Sequence, residues 1–266
     1  MECLTLNNGV KLPMLGFGTW DIRGETGKRC ILEALEVGYR LIDTAQMYSN
    51  EDIVGKAVRE SGISRNEVFI TTKLYRPCAD YKRAKAGIER SLNELQTDYI
   101  DLLLIHEPYD SAPEMYEAFK EAYQEGKVCA IGISNFDGRK YEGFIRSCGI
   151  IPAVNQVESH VYYPQLDLKK ILESHGTKMQ SWASFTEGRK NIFAEPVLKE
   201  IGEKHGKTSG QVALRYLLQN GIAVIPKSVH RERMKENLDV FDFELTSTDM
   251  EKIRRLDGKR SLFGWY

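Results

Sequence analysis

Eight short apolar runs, each followed by an amphipathic stretch, order this chain from end to end: LGFGT, RLID, VFITTK, IDLLLIH, CAIGIS, AVNQ, MQSWA and AVIPKS. They are rich in β-branched residues and apolar on both faces, the pattern of strands buried in a parallel sheet. Between them, Ile31, Leu32 and Leu35 within residues 26–37, and Ile88, Leu92 and Leu95 within 81–95, recur at helical spacing. Further helices are expected at 49–60, where Ser49-Asn50 and early acids form an opening cap, and at 115–123, 138–147 and 165–174. Thr208 with Gln211 and Thr246 with Asp249 have the spacing of capping boxes that open two more. The runs end near residues 18, 43, 73, 106, 134, 156, 182 and 227. That is about one βα unit apiece, save a longer last interval that holds an additional helix at 196–205. The prediction is α/β: a (β/α)8 TIM barrel as one domain over residues 1–266. A hairpin (LTL, the turn Asn7-Asn8-Gly9, VKL) precedes it, and two helices are extra. A doubly wound nucleotide fold would want G-x-G-x-x-G in its first turn, but Gly16-Phe17-Gly18 is followed by Asp21 at the third glycine position.

Composition narrows the function classes. With 42% hydrophobic and 28% charged residues, wholesale disorder is excluded. Lys and Arg total 37 against 38 Asp and Glu, so the basic excess of a nucleic-acid or anionic-membrane partner is missing. No apolar run is long enough to span a bilayer, and MECLTLNNG lacks the basic and apolar regions of a signal peptide. Five cysteines, odd in number and without a CxxC pair, point to a reducing compartment and no zinc site. The expectation is a cytoplasmic monomer that binds no metal, nucleic acid or membrane.

In a barrel the active site lies where strands pass into βα loops. Asp43, Lys73 and His106 end three successive runs, and Tyr48 lies just past Asp43. Ser134, Asn135, Asn155, Gln156, Trp182, Lys227 and Ser228 continue around the rim. Singly, each has a plainer role: a helix cap, a packing tyrosine, a solvated lysine, a satisfied core histidine. One scheme uses the first four together. A phenol, with an ordinary pKa of about 10, is a poor proton donor near neutrality. A neighbouring ammonium stabilises phenolate, a carboxylate keeps that ammonium charged, and an imidazole can direct a carbonyl oxygen.

Several motifs resemble those of the aldo-keto reductase family. They are Gly16-Phe17-Gly18-Thr19-Trp20, Asp43-Thr44-Ala45 with Tyr48, Thr72-Lys73, His106-x-Pro108, Gly132-Ile133-Ser134-Asn135-Phe136 and Pro226-Lys227-Ser228. The resemblance runs from the hairpin to about Asp257, and is greatest to small bacterial members akin to 2,5-diketogluconate reductase. It implies NADPH-dependent reduction of a small carbonyl substrate by a tetrad of Asp43, Tyr48, Lys73 and His106. It further implies that Ser134, Asn135 and Gln156 hold the nicotinamide carboxamide, with Trp182 stacked on the ring where the family usually has Tyr. Lys227, Ser228 and Arg233 would grip the 2′-phosphate, and Glu236 and Asn237 the adenine. Gly18, Thr19, Trp20, Asp43, Ala183, Phe185, Val229 and His230 complete the implied cofactor contacts; Trp20, Tyr48, His106 and Glu107 are those to substrate. Two cations and a hydroxyl do suit a dianionic phosphate, where NAD would offer only a ribose hydroxyl. Arg231 and Lys235 fit a solvated basic loop better.

The chain also departs from the family pattern. Glu107 replaces the usual Trp after the histidine, and either lines the pocket or pairs with a Lys or Arg. Ala183-Ser184-Phe185-Thr186-Glu187-Gly188 replaces Ser-Pro-Leu-Gly, so pyrophosphate contacts are expected from Phe185 and from Glu187 to Arg189. A short loop after His106 and a short segment after Asp257 predict an open pocket. Cys78 and Cys129 are read as packing. These departures leave a rival: an NADPH-binding regulatory or sensor barrel with slow turnover. A phosphate-binding isomerase would want a glycine-rich last loop, which Lys227-Ser228 lacks.

Overall fold

The computed structural model describes residues 2–264. A hairpin of β1 (Cys3–Thr5) and β2 (Lys11–Pro13) comes first, in the register Cys3↔Pro13 and Thr5↔Lys11. Its turn needs the left-handed backbone of Gly9, with φ of 89°. Eight parallel strands follow: β3 (Phe17–Gly18), β4 (Leu41–Asp43), β5 (Phe69–Leu74), β6 (Leu102–Ile105), β7 (Ile131–Ser134), β8 (Val154–Glu158), β9 (Lys178–Trp182) and β10 (Ala223–Val224). They neighbour one another in chain order, and the sheet curls until its edges meet. Leu15 bridges Val224, and the Gly16 N–H donates to the Val224 carbonyl at 2.8 Å. The outer two strands are shorter than the runs LGFGT and AVIPKS suggested. At this seam Pro226 has no N–H to donate, and a Cβ on Gly18 would meet the Ile225 carbonyl oxygen at 2.6 Å.

Ten α-helices lie among the described residues: α1 (Gly24–Val37), α2 (Glu51–Glu60), α3 (Tyr81–Leu95), α4 (Ala112–Gln124), α5 (Gly138–Ile145), α6 (Leu166–Ser174), α7 (Pro196–His205), α8 (Ser209–Gln219), α9 (Arg231–Leu238) and α10 (Ser247–Arg254). α7 and α10 are additional to one helix per strand. Both expected capping boxes form, at Thr208 with Gln211 and at Thr246 with Asp249. The cap expected from Ser49-Asn50 does not. Asn50 stands at the N-cap position, but its amide donates to the Thr19 and Ile22 carbonyls, both at 2.9 Å, and its oxygen accepts from Thr44. The Thr44 hydroxyl has taken the oxygen that would cap the helix, and the amide ties down the loop after β3 instead.

Two apolar layers result. The helices pack on the outside of the sheet through residues such as Ile31, Leu35, Ile88 and Phe119. Inside, Leu41, Phe69, Leu102, Leu104 and Val154 form a separate cluster joined by Leu6 and Leu12, which flank the hairpin turn and close the bottom. The polar ends of the strands face the opposite, open end.

Candidate active site

Asp43 ends β4, Lys73 lies near the end of β5, and His106 follows β6 directly. Tyr48 ends a short 3-10 turn, Gln46–Tyr48. The four side chains converge. Lys73 has no solvent exposure and Asp43 has 1%. An ammonium carries three donors, and Lys73 directs one each to Asp43 Oδ1 at 2.5 Å, the Thr44 carbonyl at 2.9 Å and Tyr48 Oη at 3.3 Å. The other Asp43 oxygen accepts from Gln156 Nε2 at 2.6 Å. Burial lowers Lys73, but Asp43 and Tyr48 outweigh it and hold the ammonium above its ordinary value. Because Tyr48 accepts from Lys73, its own hydrogen is free to point elsewhere.

The electrostatics differ from the expected scheme in one respect. Burial pushes the Tyr48 phenol up, and Lys73 only pulls it part of the way back. Phenol, not phenolate, is therefore the resting form. Burial, with Lys73 adding to it, lowers His106 to about 3, which leaves a neutral imidazole at physiological pH. Its Nδ1 is buried without a partner among the described residues, and its ring stands edge-on to Tyr48 at 5.6 Å.

Sequence reasoning missed the support beneath Tyr48. Gln46 Nε2 donates to the Gly87 carbonyl at 2.8 Å and to Ser91 Oγ at 2.9 Å, while its oxygen accepts from Arg90 at 2.7 Å. Cys78 Sγ joins the same network, in the packing role expected of it. This network pins the turn that carries the phenol to α3. Its signal in the sequence, an amide two residues before Tyr48, has no period or motif to mark it.

A cavity of about 700 Å³ opens over the tetrad. The loops after β3, β4 and β6 line it with Trp20, Met47, Tyr48, His106 and Glu107. The ends of β7 and β8, the loops after β9 and β10 and the C-terminal segment contribute Ser134, Asn135, Gln156, Trp182, Ala183, Phe185, Glu187, Arg189, Lys227 and Phe263. Gly18 and Asp43 also reach it. Thr19 does not; it is buried, and its hydroxyl donates to the Asp43 carbonyl at 2.9 Å. Ser134 Oγ donates to the Gln156 carbonyl at 2.7 Å. Asn135, left-handed at φ of 64°, donates to the His106 carbonyl at 3.1 Å and accepts from Trp182 Nε1 at 2.8 Å. It thereby ties together the ends of β6, β7 and β9.

Beyond the cavity lies a basic stretch. Lys227 and Arg233 are exposed, and neither forms an ion pair among the described residues. Arg231 pairs with Glu36 at 2.6 Å and Lys235 with Glu232 at 3.0 Å, as befits a solvated basic loop. Ser228 Oγ bonds the backbone of His230, Val229 is 45% exposed, and Glu236 accepts from Thr208 at 2.6 Å. Asn237 is buried. Arg233 lies in the first turn of α9 and Lys227 precedes it in the chain, residue types that could hold a phosphate group.

The departures from the family pattern have definite places. Glu107 lines the cavity, its charge helping burial to raise the Tyr109 phenol, and the ion pair that the sequence allowed with a Lys or Arg does not form among the described residues. The loop after β9 holds Ala183, Thr186 and Glu187 at φ of 55°, 63° and 46°. Burial raises the Glu187 carboxyl, and Lys227 and Arg189 pull it back. The mouth is less open than expected, because the segment after Asp257 turns back over it. Phe263 meets Trp182 edge-on at 5.0 Å, and the Arg189 guanidinium lies 4.8 Å over the Phe263 ring.

A parallel α/β barrel with an ammonium–carboxylate–phenol relay and a neutral imidazole at its mouth is the architecture of a carbonyl oxidoreductase. The sequence model of the Aldo/keto reductase family matches residues 14–258, and the chain belongs to that family. It is 40% identical over 258 residues to the glyoxal reductase of Bacillus subtilis, covering 96% of this chain and 93% of the relative. It is 40% identical over 261 residues to the methylglyoxal reductase DkgA of Escherichia coli, covering 97% and 94%. Among solved structures, MGS-M4, an aldo-keto reductase enzyme from a Medee basin deep-sea metagenome library, superposes with a TM-score of 0.95 at 39% identity, covering 97% of this chain and 96% of that one. The protein is an oxidoreductase acting on carbonyl groups, and no helix among its described residues is long and apolar enough to cross a membrane.

Proposed function

We propose that this protein reduces small neutral aldehydes and ketones to alcohols with NADPH, as a single closed-barrel domain working in the cytoplasm. The observation that carries the reading is the direction of the Lys73–Tyr48 hydrogen bond. It leaves the phenol proton available to the cavity, next to a neutral His106. When bound, the reduced nicotinamide supplies hydride to the carbonyl carbon. The His106 ring holds the carbonyl oxygen, and Tyr48 gives that oxygen its proton as the new C–H bond forms. Lys73, kept charged by Asp43, stabilises the phenolate left behind. Lys227 and Arg233, two exposed cations that form no ion pair among the described residues, support a preference for the 2′-phosphate. An odd number of cysteines without a CxxC pair supports a reducing compartment.

Glu107 supports neutral substrates over acidic ones. A carboxylate about 6 Å from a substrate charge, at an effective dielectric near 20, is worth up to roughly 3 kcal/mol before screening. The regulatory alternative is not favoured, since the relay is intact. The deciding experiment follows NADPH consumption across a panel of aldehydes and ketones, with NADH in parallel. Turnover of a neutral aldehyde with NADPH is the expected result; silence across the panel overturns the reading.

A further inference from the structure

Residues two apart on a strand share a face, and on β8 Gln156 and Glu158 both reach inward-lying partners. Gln156 bonds Asp43, in the relay. Glu158 bonds the C-terminal segment. Its side chain is wholly buried, yet it is a carboxylate, a costly group to bury unless donors surround it. They do. Ser261 Oγ donates to Oε2 at 2.5 Å, the Leu262 N–H donates to Oε1 at 2.8 Å, and His160 Nε2 lies 3.0 Å from Oε1. Ser261 Oγ then accepts the N–H groups of Phe263 at 3.1 Å and Gly264 at 2.9 Å. Two of the three donors to the carboxylate thus belong to a segment about a hundred residues away, whose turn is organised by the same serine.

What that turn delivers is Phe263. In the parallel register of β8 and β9, Glu158 stands beside Trp182. Phe263 packs on that same Trp182, and both rings line the cavity. We propose that Glu158 is a positioning residue that clasps the C-terminal segment, so that Phe263 backs Trp182 and completes the wall of the substrate pocket. The clasp stands on hydrogen bonds alone; its effect on turnover rests on the reductase reading above.

The test is amide hydrogen exchange by mass spectrometry on the full chain, as wild type, Glu158→Gln and Ser261→Ala. A glutamine keeps the shape but loses the charge and one acceptor. Charge-assisted bonds are worth enough that Glu158→Gln should speed exchange across residues 262–264 by about tenfold or more. Ser261→Ala, at the periphery, should give a smaller rise of the same sign, and peptides from β4 and β5 should not change. Unchanged exchange at 262–264 in both variants overturns the clasp, whatever the activity; should Glu158→Gln not fold, Ser261→Ala decides. The kinetic arm adds Phe263→Ala. In all three variants KM for a bulky aldehyde should rise several-fold more than kcat changes, with NADPH Kd held within about twofold. Faster exchange with an unchanged KM overturns the pocket-wall role. A wild type that reduces no aldehyde defeats the reductase reading and leaves the exchange result to decide the clasp.

Discussion

At the ends of β4 and β5, donors and acceptors are spent on one another: Lys73 uses all three of its hydrogens, and Asp43 accepts on both oxygens. Beyond β9 and β10, the loop bends through left-handed residues, and Lys227 and Arg233 are exposed and form no ion pair among the described residues. The first region is preorganised, so its charges need no rearrangement when a proton moves. The second keeps two cations exposed and out of ion pairs among the described residues, which suits a surface that takes an anion. On the proposed reading one rim carries the chemistry and the other the grip, and their variants should fail in different ways.

Tyr48→Phe is the largest expected effect. It removes the proton donor and nothing from the grip, so kcat should fall by about 10²–10⁴-fold while NADPH Kd stays near wild type. A variant keeping more than half the wild-type kcat would mean that another group is the acid. Arg233→Ala should do the reverse: kcat nearly intact, and the preference for NADPH over NADH eroded by roughly tenfold. Equal Kd for both cofactors in the unmutated protein would remove the grip altogether. Glu107→Gln should act on neither, but improve kcat/KM several-fold for a carboxylate-bearing aldehyde relative to its neutral analogue. That gain should shrink in high salt; a constant ratio would exclude Glu107 from setting charge preference. The smallest effect concerns pH. His106 is lowered to about 3, so it stays neutral as pH rises or falls through the ordinary histidine range. The profile of kcat/KM should therefore show no His106 inflection between about pH 5 and 8. A step there that His106→Gln abolishes would show the imidazole to be charged in the free enzyme.

The same contrast separates what the sequence disclosed from what it did not. α3 and both capping boxes were legible because their signals are local: apolar spacing along one face, and a hydroxyl three residues from its reciprocal partner. Asp43, Lys73 and His106 were legible because a parallel sheet puts strand ends at one mouth. Asn50 was misread for an equally physical reason: its chemistry favours a cap, but the Thr44 hydroxyl occupies its oxygen while the Thr19 and Ile22 carbonyls hold its amide. Gln46 and Phe263 had no local signature at all. Their roles depend on α3 and β8, which approach them only in the folded chain.

The hairpin at the foot of the barrel has a further consequence. With Leu6 and Leu12 stoppering an apolar interior, the relay is closed off from the foot of the barrel and faces the cavity above it. Lys73, below the phenol, has no contact with solvent. On the proposed reading, a proton given away by Tyr48 returns from above, through the space that the departing alcohol vacates. Recharging the acid and emptying the pocket would then be linked steps.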